Sequence, residues 1–167
     1  IIKKVNGVRI GVIGMHGKFA FYDTTSDEMI QGVEARDEEV YLRKYIQELK
    51  NKVDIIVLLI HEGIPGRQST TGAKDVARNL QRDIELAKNV PGIDIIVTGH
   101  AHQGTPVPLV SNGTIIVSTD AYTIELGKLE ITVTPPGPVD VDTAKRFEDL
   151  GVDRLVVMRG FQDMAGS

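Results

Sequence analysis

Three β-branched runs constrain this chain more than any other feature. Val8 to Ile13, Asp54 to Ile60 and Ile93 to Thr98 each hold four Val or Ile residues. Continuous apolar runs of this length suit strands buried on both faces, as in a sheet covered by helices. Between the first two lies Glu34 to Lys50, where Val40, Leu42, Tyr45, Ile46 and Leu49 fall on one helical face. Between the second and third, Asp75 to Asn89 reads as a second amphipathic helix, stopped by Pro91-Gly92. The order β-α-β-α-β predicts a parallel sheet with right-handed crossovers.

Further on the pattern changes. Thr114 to Thr119 and Thr123 to Val133 are strand-like with no helix between them, and Asn112-Gly113 is a turn signal just before the first. The expected class is α/β: a parallel-core sheet with crossover helices, gaining antiparallel hairpin-type strands at its far end. Pro135-Pro136-Gly137-Pro138 cannot continue a ladder or a helix and marks a linker. The expected division is 1–134 as the main domain, 135–138 as linker, and 139–167 as an appended tail packing on the same domain. In that tail Asp142 to Leu150 reads as a helix and Arg154 to Met158 as a strand. Gly63 to Gly72, rich in Gly, Ser and Thr, reads as a loop.

Composition narrows the function classes. With 41% hydrophobic residues in 167, the chain can bury a core of its own. A balance of 19 basic against 23 acidic residues, with no basic stripe, argues against a nucleic-acid polymer or a membrane surface as partner. Cysteine is absent, which removes disulfides, thiolate metal sites and a cysteine nucleophile. The apolar run Ile55 to Ile60 is far too short to span a bilayer. The sequence opens Ile1-Ile2-Lys3-Lys4, without Met or a signal-peptide pattern, and so reads as processed, truncated or recombined.

The histidines carry the chemistry. His61 follows one apolar run immediately, and His100 and His102 follow the next within the element Gly99-His100-Ala101-His102. In an open parallel sheet, ligands bind beyond the carboxyl ends of the strands. Three imidazoles are therefore expected at one sheet edge, with His100 and His102 pointing the same way if their backbone is extended. Neutral imidazole is a good ligand for zinc, manganese, iron, cobalt or nickel. His16, flanked by Gly14 and Gly17, reads as a loop residue. Asp23 and Asp120 read as turn or cap residues, and Arg67 as a solvated loop arginine.

Asp54-Ile-Ile-Val-Leu-Leu-Ile-His61-Glu-Gly63, then Asp94-Ile-Ile-Val-Thr-Gly-His100-Ala-His102, then Ile115-Ile-Val-Ser-Thr-Asp-Ala121-Tyr122 running into Leu126-Gly127-Lys128-Leu129, occur in one order and spacing. Together they resemble the second half of the calcineurin-like metallophosphoesterase domain, particularly its 5′-nucleotidase and cyclic-nucleotide phosphodiesterase branch. The resemblance implies a partial sandwich, a dinuclear centre of zinc, manganese, cobalt or iron, and a nucleotide or related phosphate ester as small-molecule substrate. It implies that His61 and His100 bind one metal and His102 the other. Relatives of this kind are often periplasmic or bound to the cell envelope.

The family's Asp-x-His, bridging Asp and Gly-Asn-His-Asp/Glu motifs belong before the strand matching Val8 to Ile13, where this sequence starts. The branch's C-terminal nucleoside-binding domain has no match either. The expectation is therefore a metal site of His61, His100 and His102 that holds at most one ion, with no catalytic residue assigned and at most trace hydrolysis. The alternative is a non-catalytic recombined or engineered fragment with a vestigial site. An unpaired sheet edge would favour homo-oligomers. The stretch Asp142 to Val157 resembles a helix–strand unit of luciferase-like monooxygenases, which implies a hybrid chain.

Overall fold

The computed structural model describes residues 1–5, 7–64 and 76–130. The chain divides into two units, residues 1–127 and 128–167, and the architecture below is that of the first. The linker at 135–138, the tail elements, Arg67 and the luciferase-like resemblance all fall outside the described residues.

The elements in chain order are β1 (Ile2–Val5), β2 (Val8–His16), α1 (Lys18–Thr24), α2 (Glu38–Leu49), β3 (Ile55–His61), α3 (Val76–Asn79), α4 (Gln81–Asn89), β4 (Ile95–Thr98), β5 (Leu109–Ser111) and β6 (Thr114–Val117). The strands form one sheet in the order β1-β2-β3-β4-β6-β5. β2, β3, β4 and β6 run parallel, while β1 and β5 pair antiparallel at the two edges. This is the α/β sheet the sequence predicts, with an antiparallel strand at each end.

Local chemistry explains the element ends. The Asp37 carboxylate accepts from the backbone N–H of Glu39 at 3.0 Å and of Val40 at 3.4 Å, so α2 starts at Glu38 and not at Glu34. Asn112 (φ 50°) and Gly113 (φ 81°) form the two left-handed residues that a tight hairpin between β5 and β6 demands.

Four readings are corrected. The apolar runs are not buried on both faces along their whole length: the neighbouring Ile95 and Ile96 of β4 are both buried, but β3 is one-sided. In β3, Ile56, Leu58 and Ile60 are buried, while Leu59 is 45% exposed and its register neighbour Val97 39%. The cause is topological. The crossovers β2→β3 and β3→β4 step in one direction, so right-handedness sends their helices to the same face. The core lies there, between the sheet and Leu42, Ile46, Leu80, Leu86, Ala87 and Val90.

Val40 lies off the core-facing side of α2 and is exposed. The region expected to be one helix from Asp75 is two, because Leu80 (φ −101°, ψ 18°) breaks it. The predicted strand over Thr123 to Val133 is not a strand across its described part, 123–130. Tyr122 (φ 67°) and Thr123 (φ 55°) turn the backbone left-handed at its start. Among the described residues, no helix is long and apolar enough to cross a membrane.

Candidate functional site

The parallel strands end together. β2 and β3 stay in register to their last residues, Met15 opposite Ile60 and His16 opposite His61. His16 is thus a strand residue and not a loop residue: seven register pairs with β3 carry β2 to its end. Its ring centroid lies 5.3 Å from that of His61. His61 in turn lies 5.0 Å from His100, with the rings 62° apart.

His100 follows β4, but not in extended backbone. Gly99 accepts from the Ala101 N–H at 2.8 Å, and His100 (φ 67°) and His102 (φ 51°) are both left-handed. Such conformations in non-glycine residues are uncommon and cluster at functional sites. The expected i, i+2 alignment of His100 and His102 is therefore replaced by a tight turn. His102 meets Tyr122 edge-on, ring centroids 5.4 Å apart, and still lies near enough to act electrostatically on His61.

Gly99 leaves room for this packing: a Cβ there would sit a tight 3.2 Å from Nδ1 of His61. Burial, then the neighbouring His100, His16 and His102, push the His61 imidazole below its ordinary pKa, against the opposing charge of Glu62. His61 is therefore neutral at neutral pH, with a lone pair to offer.

Two carboxylates hold this edge: Glu62, given no role by the sequence reading, and Asp23, which lies within helix α1 and not in a turn or cap. Glu62 is only 2% exposed. Its side chain accepts from Nε of Arg82 on α4 and from the Ala20 N–H of α1 at 3.3 Å. Its backbone carbonyl accepts from the Thr98 hydroxyl at 3.1 Å. Arg82 also lies under the Phe19 ring, 4.7 Å from its centroid, and 3.9 Å from Glu38. A Cβ at Gly17 would overlap the Glu62 carboxylate, so that glycine lets α1 close onto β3. Asp23, near the end of α1, lies with Oδ2 3.2 Å from Nε2 of His100. The one available signal for Glu62 was a charge placed directly after a buried strand. Asp120 keeps its turn role, accepting from the Gly104 N–H at 2.7 Å.

The donor set of His61, His100 and the adjacent His16, with Asp23 alongside, suits a divalent first-row ion in chemistry. Two imidazoles sharing a tetrahedral ion place their ring centroids about 5 Å apart, given Zn–N bonds of about 2 Å. The His61–His100 separation of 5.0 Å meets that requirement. Among the described residues, no group of three or more His, Asp or Glu side chains converges on one point. The described residues thus carry donors of suitable chemistry but no preformed ligand cluster.

Residues 1–104 match the calcineurin-like phosphoesterase family. This chain belongs to that family. It is 30% identical over 129 residues to the uncharacterized metallophosphoesterase YunD of Bacillus subtilis, covering 77% of this chain and 23% of that protein. It is 28% identical over 145 residues to the trifunctional nucleotide phosphoesterase protein YfkN of the same organism, covering 85% of this chain and 9% of that protein. The chain thus spans less than a quarter of the length of either relative. Its fold resembles that of the sulfate thiohydrolase SoxB from Thermus thermophilus, with a TM-score of 0.58 and 24% identity, over 72% of this chain and 19% of that one. Neither the matched family nor these relatives support a monooxygenase-like tail or a hybrid origin.

Proposed function

We propose that this chain takes part in metal-dependent hydrolysis of phosphate esters, with His61, His100 and His102 as its metal ligands. The observation that carries the reading is the His61–His100 pair, 5.0 Å apart at the carboxyl ends of consecutive parallel strands, in a calcineurin-like phosphoesterase. The ion is zinc, manganese, cobalt or iron, and the substrate class is a nucleotide or a related ester, as the name of one relative suggests.

A bound divalent ion would supply a hydroxide near neutral pH and positive charge for the phosphoryl oxygens. The protein's own part is to offer neutral imidazoles. Burial and mutual repulsion keep His61 unprotonated, Gly99 leaves space beside its Nδ1, and Glu62 ties α1 to the same edge. Three histidines hold at most one ion, and a single ion cannot clamp both the attacking and the leaving oxygen. Turnover by this chain alone is accordingly weak. The test is hydrolysis of an aryl phosphate and of a bis-aryl phosphodiester with manganese, cobalt or zinc, comparing wild type with His100→Ala.

A further inference from the structure

We propose that Asp83 is a pH-sensitive latch: protonated, it completes a hydrogen-bond chain through the Thr98 hydroxyl to the Glu62 carbonyl, and ionised, it takes the Thr98 proton and releases that carbonyl. The latch does not depend on the metal reading above. Asp83 lies on α4, fully buried, and among the described residues its two carboxylate oxygens have no hydrogen-bond partner. The Thr98 hydroxyl, at the end of β4, lies close enough to favour the charge of Asp83. Its one proton nevertheless goes to the carbonyl of Glu62, the residue after β3, at 3.1 Å. A hydroxyl has one proton to give and two lone pairs to receive. A protonated Asp83 can therefore donate to Thr98 while Thr98 still holds Glu62. A carboxylate has only acceptors, so ionisation makes it compete with the Glu62 carbonyl for the same proton.

The groups facing Asp83 set where the change occurs. Burial raises its pKa to about 6, the negative charge of Glu62 adds to this, and Thr98 and Arg82 oppose it. Arg82 has the smallest influence of these, and its guanidinium is engaged by the Glu62 carboxylate with Glu38 nearby. The effect of the latch reaches beyond the bond itself. Gly63 follows Glu62 at φ 128°, and a Cβ there would come within 2.9 Å of the Ala101 side chain. The exits of β3 and β4 thus press together just past the bond from Thr98 to Glu62. Acid closes them on one another, and rising pH loosens them.

The test uses the full chain without added metal. Carbon-13 spectra follow the Asp83 carboxyl and the Glu62 backbone carbonyl between about pH 4 and about pH 8 in wild type, Asp83→Asn, Thr98→Val and Thr98→Ser. In wild type and Thr98→Ser both signals should move together, with a midpoint at about 6. Thr98→Val should leave the carboxyl titrating and remove the matching step at the carbonyl. Asp83→Asn should remove the same step by another route, so either variant alone suffices if the other fails to fold. Steps caused by the Glu62 side chain or by His61 persist in both variants, and the difference from wild type isolates the latch. An Asp83 carboxyl that titrates near its ordinary value of 3.8 overturns the proposal. So does a Glu62 carbonyl that is silent in wild type, or one whose step survives unchanged in Thr98→Val or Asp83→Asn.

Discussion

Replacing Asp83 with Asn should stabilise the protein at neutral and alkaline pH and lose that advantage in acid. Asp83 sits on α4 with its side chain fully buried, and among the described residues neither carboxylate oxygen has a hydrogen-bond partner. The Thr98 hydroxyl is close, but its single proton goes to the Glu62 carbonyl at 3.1 Å. Burial is the main force raising the Asp83 pKa to about 6, and the charge of Glu62 adds to it against Thr98 and Arg82. A carboxyl whose folded pKa is raised stabilises the fold fully below its unfolded pKa of 3.8, and that contribution is lost as pH climbs through about 6.

A shift of about two units at ~1.4 kcal/mol per unit makes the loss roughly 3 kcal/mol. Asn removes the ionisation but must bury an amide, at a cost of about 1 kcal/mol. The net gain at about pH 8 is therefore ~2 kcal/mol, falling to zero or slightly below it near pH 4, where a protonated Asp83 can donate to Thr98. Urea unfolding of both proteins across this range gives the difference curve, in which every other titrating group cancels. A difference that stays flat with pH, or a variant less stable at pH 8, would refute the reasoning.

Other expectations follow from close contacts. Gly99→Ala should press on the His61 ring and weaken zinc binding about tenfold by calorimetry, with a smaller loss of stability. Gly17→Ala should force α1 away from Glu62 and cost about 1–3 kcal/mol in denaturant unfolding. Arg9 bonds Asp54 through its backbone N–H and its guanidinium, which lowers the Asp54 carboxyl to about 2. Its stabilising contribution is present above the unfolded value of 3.8 and disappears as pH falls through about 2, so Asp54→Asn and wild type should converge in strong acid.

The parallel core was legible because its signals are local. Runs of Val and Ile mark β2, β3 and β4, and their alternation with amphipathic stretches dictates the crossover order. Which face stays open was not local. It depends on both crossovers stepping the same way, and only the sheet order displays that. The nearness of His61 and His100 follows from two strand ends in register, whereas His16 depended on how far β2 stayed paired. Asp23 had no motif, and Glu62 sat inside the His61-Glu-Gly63 element with no role assigned to it. Their places come from the docking of α1, a contact between segments some 40 residues apart for Ala20 and Glu62 and 77 apart for Asp23 and His100.

The central claim is a histidine-held divalent ion that promotes phosphoester hydrolysis. Titration of the metal-free chain with zinc or manganese, read alongside release of nitrophenol from bis(4-nitrophenyl) phosphate, tests it most directly. One equivalent should bind, lost in both His61→Ala and His100→Ala, with a slow hydrolysis that disappears with the ion. Failure to bind any ion, or binding and hydrolysis indifferent to both histidines, would contradict it.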